Sequence, residues 1–391
     1  MKLYYITIMF FLFFFGCTPN KLSTKYEKLL GVAKEENFPG MVLWIKEGNN
    51  PGWSGSIGYR NIEKKIKMTV DTRFYTGSLT KLITAIAILQ LVESSKVTLA
   101  DKVINILGRD IVGKIPNIND ITVGQLMNHQ SGIYSANNNM RYINTLIGSD
   151  ADKKIVWKDY DFLALTWTGN NKPFGKPGEG AFYGDNNYIL LGLIIEKISG
   201  ILLRNFVQLN IFDRVKMKHS YYCTDSAAIK KNKVFPHTDG YLVLTPEIRQ
   251  LLTIHPKFYR VNDTLINTTS AIDKIDGAAA IISTAEDVGI LATALFNGDL
   301  LSASSKAALF EFAKGIENDK MEKVRQGAMR AFNKSYGVLF ASEGDGPAGF
   351  NTIMAYLPAT NTIVVGFINI FGMWKEKETI INKVIPEILM H

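Results

Sequence analysis

Residues 76–95 read TGSLTKLITAIAILQLVESS. Apolar side chains at Leu82, Ile83, Ala85, Ile86, Ile88, Leu89 and Val92 run nearly all the way round a helix over Ser78–Ser95. A helix apolar on every side belongs inside a protein, not on its surface. Yet Ser78 and Lys81 stand at its first turn, three positions apart and therefore on one face, so Lys81 Nζ can reach Ser78 Oγ. A serine hydroxyl is a weak nucleophile near neutral pH and needs a base or a nearby cation. A lysine works as that base only if its pKa falls, through burial or a second cation. The helix N-terminus adds a positive field that favours a developing alkoxide. The alternative for Ser78 and Lys81, a capping serine with a solvated lysine, is disfavoured by the apolar surroundings of Lys81.

Around this helix the chain divides in three. Two strands are expected before it, Met41–Ile45 and Gly52–Tyr59, with a turn cluster at 48–52. Two more close the chain, 351–357 and 362–369, before a last helix over 376–390. Between them, helices are expected at 122–130, 187–199 (ending at Gly200, a suitable C-cap) and 284–297. Strands at both chain ends imply one antiparallel sheet built from both termini. The expected fold class is α/β (α+β): that sheet flanked by helices, with an inserted, mostly helical region. The α/β part covers about 28–96 and 276–391 and the insertion about 97–275.

Composition narrows the function. The 391 residues carry 44 Lys+Arg against 36 Asp+Glu, a net charge of +8, and two cysteines. That balance is ordinary for a globular chain and excludes a mainly disordered or disulfide-stapled one. The basic cluster Lys230, Lys231, Lys233 lacks the interleaved aromatics of a nucleic-acid groove, so no nucleic-acid partner is expected. No Cys/His spacing suits zinc, so no metal is expected. Residues 1–17, MKLYYITIMFFLFFFGC, have a lysine, an apolar run too short for a comfortable membrane span, and a glycine directly before Cys17. That pattern favours a lipoprotein signal over an ordinary secretory signal with an incidental cysteine, with 18–27 as a polar tether and 28–391 as the folded domain. Cys17 is then the lipid anchor, the membrane is a partner, the location is the bacterial cell envelope, and Cys223 is the sole free thiol.

Further segments follow in a fixed order. Phe38-Pro39-Gly40 with Gly58-Tyr59 forms an opening hairpin, and Thr72-Arg73-Phe74 leads into Ser78–Lys81. Ile121–Ile133 (ITVGQLMNHQSGI) comes next, then Pro177-Gly178 with Phe182-Tyr183-Gly184-Asp185-Asn186-Asn187-Tyr188, then Ser283-Thr284-Ala285-Glu286-Asp287 and Gly349-Phe350. Over residues 38–370 the chain resembles the serine hydrolases related to class C β-lactamases and DD-peptidases, the penicillin-recognising fold. The resemblance implies Ser78 as the acylated nucleophile, Lys81 as its partner and Tyr183 as general base or proton shuttle. His129 invites a Ser-His reading, but the resemblance implies a structural role for it. No organic cofactor is implied, and the substrate is a small molecule or a peptidoglycan-like fragment.

Two departures from the family pattern stand out. Asp185 replaces the asparagine of the usual Tyr-x-Asn. As a carboxylate it can pair with Lys81, which raises the lysine pKa and shifts base duty to Tyr183. The third motif, usually Lys/His-Thr/x-Gly, falls on Glu343-Gly344-Asp345, either as strand residues or, if the register shifts, as a turn. Acidic residues there repel a substrate carboxylate by about 1 kcal/mol or more. They point to an esterase- or amidase-like role on a neutral or cationic substrate. Gly346 is the candidate second oxyanion N–H after that of Ser78. The aromatic-rich stretches 136–176 and 219–275, with Trp157, Trp167, Tyr221, Tyr222 and Tyr241, are expected to shape the cleft, with the aromatics either lining it or serving as packing. A different class, a catalytically weak protein holding a cell-wall fragment, is motivated by the two departures and opposed by the intact Ser78, Lys81 and Tyr183.

Overall fold

The computed structural model describes residues 21–390 apart from 154, 156, 170, 234–236, 252, 273, 311–322, 325–328 and 373–375. Cys17 and the segment expected to be a lipoprotein signal lie outside the described residues.

The run MVLWI becomes the middle of strand β1 (Gly40–Glu47), followed by β2 (Trp53–Asn61) and the short β3 (Ile66–Lys67). Five more strands come from the C-terminal part: β4 (Lys323–Val324), β5 (Met329–Lys334), β6 (Gly337–Gly346), β7 (Phe350–Leu357) and β8 (Thr362–Ile368). They form one antiparallel sheet in the order β4-β5-β6-β7-β8-β1-β2-β3. Met41 pairs with Ile368 and Glu47 with Thr362, so the two ends of the chain meet at the centre of the sheet, as the strand pattern implies.

Alternate residues of a strand point to opposite faces, and β1 is buried on both. Val42 and Trp44 join the larger core, with helices α2 (Thr80–Glu93), α3 (Asp185–Ser199) and α4 (Ala285–Phe296). Met41, Leu43 and Ile45 join a second core beneath α1 (Lys21–Leu29) and the C-terminal helical segment, which runs through Glu376–Thr379, a π turn at Ile380–Val384 and Ile385–Leu389. Burial on both faces explains why β1 reads as a continuous apolar run instead of an alternating one.

Several expectations shift. From Lys21 on, the segment expected as a tether over 18–27 is helix α1. Tyr26 and Leu29 are buried against the second core, and the Tyr26 hydroxyl bonds the Glu47 carboxylate. The helix expected from Ser78 begins as a 3-10 turn, Gly77–Leu79, and becomes α-helical at Thr80. The helix expected at 122–130 is shorter, Val123–Met127, closed at its start by a Thr122/Gln125 capping box. The region 97–275 carries strands as well as helices. Tyr241–Val243, Tyr259–Arg260 and Leu265–Asn267 pair with one another and with Ile370–Phe371, and Tyr221–Tyr222 pairs with Ile281–Ser283. Strands of two or three residues are too short to show a period of two, which is why helix patterns dominated the reading.

Helix α4 crosses the sheet where Gly289 faces Trp44. A Cβ on Gly289 would lie 2.4 Å from the indole ring. Overpacking of this kind costs about 1–3 kcal/mol. Gly289→Val should therefore lower the urea midpoint of unfolding by a corresponding amount, and an unchanged midpoint would contradict this packing account.

Candidate active site

Ser78 sits half-buried in its 3-10 turn. Gly77 before it has φ 55°, a conformation open chiefly to glycine. Lys81 one turn later is fully buried. An ammonium group has three donors and no acceptor, so burial requires three good acceptors. Lys81 Nζ has them: Ser78 Oγ at 2.8 Å, the Ala278 carbonyl at 3.1 Å and Asp185 Oδ1 at 2.6 Å. The Tyr183 ring centroid stands 4.9 Å from the same ammonium, and the Tyr183 hydroxyl is 2.6 Å from Ser78 Oγ. The structure thus brings Ser78, Lys81, Tyr183 and Asp185 together around one oxygen.

Burial by itself would depress the Lys81 pKa. The Asp185 carboxylate, helped by Tyr183, outweighs it and raises the pKa above the ordinary 10.5. A raised lysine pKa stabilises the fold at all pH below 10.5, and that contribution is lost as pH climbs past it. For Tyr183 the balance also runs upward. Burial and Asp185 raise its pKa, while Lys81 and the bond to Ser78 partly offset them. The resting site therefore holds a protonated lysine and a neutral phenol, with 42 % of the tyrosine side chain still accessible from the cleft.

Asp185 is the first residue of α3 and is itself buried. Its second oxygen accepts from Asn137 Nδ2 at 2.7 Å, while Asn137 Oδ1 accepts from the Asp185 N–H and from Ser135 Oγ, each at 3.0 Å. Asn137 went unremarked in the sequence because it lies in a three-residue 3-10 turn, Ala136–Asn138, too short to show a pattern. Its one signal is the run Asn137-Asn138-Asn139 just after the Ser131-Gly132-Ile133 segment.

His129 is not part of this arrangement. It is fully buried with φ 57°, and its Nδ1 faces the Gly184 N–H at 3.4 Å and Asn187 Nδ2 at 3.2 Å. Burial, with a smaller push from Lys81, drives its pKa down to about 3. A neutral ring that packs tilted against Tyr183, 4.6 Å between centroids, fixes the tyrosine's position instead of exchanging protons.

Glu343-Gly344-Asp345 is strand, not turn. Gly344 pairs with Thr352 and Gly346 with Phe350, and β6 runs beside the serine turn. A Cβ on Gly344 would lie 1.9 Å from the Thr76 carbonyl oxygen, so only glycine allows this approach. Glu343 and Asp345, two apart, share the face that looks into the cleft. Lys377, from the C-terminal helical segment, bonds both: Glu343 Oε2 at 3.2 Å and Asp345 Oδ2 at 2.5 Å. Sequence reading missed Lys377, since nothing local marks a cation 32 residues beyond Asp345 as its neighbour. Ser78, Tyr183, Asp185, Glu343, Asp345, Gly346 and Lys377 line a cleft of about 450 Å³. The stretches 136–176 and 219–275 do shape it, through residues such as Tyr142, Leu146, Leu242 and Ile248; its aromatic lining is Tyr75, Tyr142, Tyr183 and Phe371, and the five aromatics singled out from those stretches do not line it. Among those, Tyr221, Tyr222 and Tyr241 are buried, and Trp157 packs on Tyr142 and Phe162.

A family model described as Beta-lactamase matches residues 26–383. Penicillin-binding protein 4* of Bacillus subtilis (strain 168) is 24% identical over 347 residues, 88% of this chain and 70% of that protein. A teichoic acid D-alanine hydrolase of Staphylococcus aureus is 29% identical over 203 residues, 52% of this chain and 46% of that protein. Among solved structures, D-amino acid amidase from Ochrobactrum anthropi SV3 superposes with a TM-score of 0.78 at 19% identity, over 94% of this chain and 98% of that one. The penicillin binding protein from Bacillus halodurans gives a TM-score of 0.69 at 24% identity, over 90% and 98%. These two structures share the fold described above.

The Asp185–Lys81 pair makes a pH prediction. Asp185→Asn removes the largest upward influence on Lys81 and leaves burial to pull its pKa down. The alkaline ionisation in the kcat/KM profile should move to lower pH in Asp185→Asn, and in the unsubstituted protein it should lie above about pH 10. Superimposable profiles would refute the assignment of the lysine's charge to Asp185.

Proposed function

Because the chain belongs to the Beta-lactamase family and is a serine hydrolase, we propose that it cleaves an ester or amide through an acyl-enzyme on Ser78. The observation that carries this is the double contact at Ser78 Oγ, 2.8 Å from Lys81 Nζ and 2.6 Å from Tyr183 Oη. In this reading Ser78 Oγ attacks the substrate carbonyl and passes its proton to Tyr183 Oη in one relay with the departure of the phenol's own proton. The Tyr183 hydroxyl proton passes to the leaving group as the carbonyl–leaving-group bond breaks. The phenol thus starts and ends neutral, in keeping with its raised pKa. Lys81 stays an ammonium throughout and donates to the developing alkoxide. The backbone N–H groups of Ser78 and Gly346 receive the oxyanion. Water then retraces the path, with Ser78 as the leaving group.

The substrate is an acyl derivative of the cell envelope, reached by a protein held to the membrane through lipid on Cys17. The names of two relatives, a teichoic acid D-alanine hydrolase and a D-amino acid amidase, support an amino-acid ester or amide. Acids on β6 argue against substrates that place a carboxylate there, β-lactams and peptides ending in D-alanine included.

A fluorophosphonate probe should label the protein at Ser78 and not label Ser78→Ala, and labelling of the alanine variant would overturn the nucleophile. Tyr183→Phe removes the proton relay and should lower kcat by about two to four orders of magnitude. Retained activity would transfer that role to Lys81. Metabolic labelling with a fatty-acid analogue should mark the full chain and spare Cys17→Ser. Absence of label on the unsubstituted protein would remove the membrane anchor from this reading.

A further inference from the structure

Apart from the polar groups already described, the cleft is lined chiefly by hydrocarbon. Ile143, Leu146 and Ile147 come from the helix Met140–Leu146 and the residue that ends it. Leu242 and Ile248 come from the strand Tyr241–Val243 and the helix Pro246–Leu251, and Phe371 from the strand Ile370–Phe371. Positions 143, 146 and 147 are three and four apart, so they share one face. Their helix follows at once on the turn Ala136–Asn138, whose Asn137 bonds Asp185, so this face begins beside the Lys81–Asp185 pair.

The three apolar segments are tied to one another and to packing outside the cleft. Trp157 donates its indole N–H to Thr145 Oγ1 at 2.7 Å and meets the Tyr142 ring edge-on, which holds the first helix from the side away from the cleft lining. The Ile147 carbonyl accepts from the His255 N–H at 3.0 Å, and the Lys257 ammonium bonds the Ala151 carbonyl, which joins that helix to the segment carrying Ile248. Tyr241 and Leu242 pair with Ile370 and Phe371, which joins that segment in turn to the last wall. The wall is therefore formed before a ligand arrives, and binding need not order it.

Ile143, Leu146, Ile248 and Phe371 are nonetheless only partly buried. Single apolar side chains at a surface need no explanation, but several on one concave wall beside a nucleophile leave hydrocarbon in water that a ligand can cover. We propose that this wall is a subsite for an uncharged hydrocarbon substituent of several carbons, larger than a methyl group, carried by the substrate next to its scissile bond. Ile143, Leu146, Ile248 and Phe371 are its specificity-determining residues, and the proton transfers at Ser78 do not pass through them. The inference rests on the hydrolase reading and adds to it the size and polarity of the group the substrate presents.

The test measures protection of Ser78 from a fluorophosphonate by ethylboronic acid and by hexylboronic acid. Boron accepts the serine oxygen reversibly, and the reagent has one organic substituent, so the chain can seat on the wall whichever side of the scissile bond the wall serves. Burying one methylene improves affinity about fourfold, so covering two of the four added methylenes should let the hexyl compound protect at a concentration about tenfold lower than the ethyl compound. In Ile248→Ser, which makes the wall polar, and in Leu146→Phe, which takes up its space, that ratio should fall towards one. Leu209→Ser, which alters an exposed leucine outside the cleft lining, should leave it unchanged. The readout is the ratio of two reagents within each variant, so changes in overall reactivity or folded fraction cancel. Equal protection by the two compounds in the unsubstituted protein, or a ratio that neither Ile248→Ser nor Leu146→Phe lowers more than Leu209→Ser does, overturns the subsite and leaves the hydrolase reading standing. Failure of the probe to label Ser78 at all overturns both.

Discussion

The buried Lys81–Asp185 pair is the constraint around which the catalytic half of the molecule is organised. Removing either partner from such a pair typically costs about 3–5 kcal/mol, because the survivor is left charged in an apolar setting. The fold meets that demand with elements far apart in the chain. The 3-10 turn offers Ser78 Oγ, the Ala278 carbonyl comes from the segment before Ile281–Ser283, and α3 offers Asp185 at its first position. Asn137 then takes the second carboxylate oxygen, so the pair has a fixed orientation as well as a fixed distance. The nucleophile is one of the lysine's three acceptors, so the group that keeps the charge buried is also the group that reacts.

A second constraint is steric. Strand β6 approaches the serine turn so closely that Gly344 cannot carry a Cβ, and Thr352 ties the contact with a hydroxyl that bonds both the Thr76 and the Gly344 carbonyls at 2.8 and 3.2 Å. This explains why the third motif cannot be turned back into its usual form at these positions. A threonine in the middle place would strike the Thr76 carbonyl and push the strand away from Ser78. The change from Lys-Thr-Gly to Glu-Gly-Asp is therefore a change in backbone packing as well as in charge.

How legible this was in the sequence depends on the range of each interaction. Ser78 and Lys81 are neighbours on one helical turn, and their relation survives the change from α to 3-10 geometry. Tyr183 and Asp185 were reached through the order of segments, which carries the fold over most of the chain. The central strands were legible because each is long and apolar on both faces. The short strands of the 97–275 region were not, since two or three residues have no period. Asn137 and Lys377 were invisible for another reason. Each acts through a contact 32 or more residues away, made only when a loop or a C-terminal helix is folded against the site.

The charge argument shows how far composition alone misleads. A chain of net charge +8 suggests an anionic ligand, and the strand beside the serine suggests the opposite. The two signals do not compete, because they act over different distances. At physiological ionic strength surface charges are screened beyond about 8 Å, so the basic excess acts on whatever large surface the protein approaches. Inside the cleft the nearest charges decide, and among the described residues Asp185 pairs with Lys81 while Glu343 and Asp345 share Lys377.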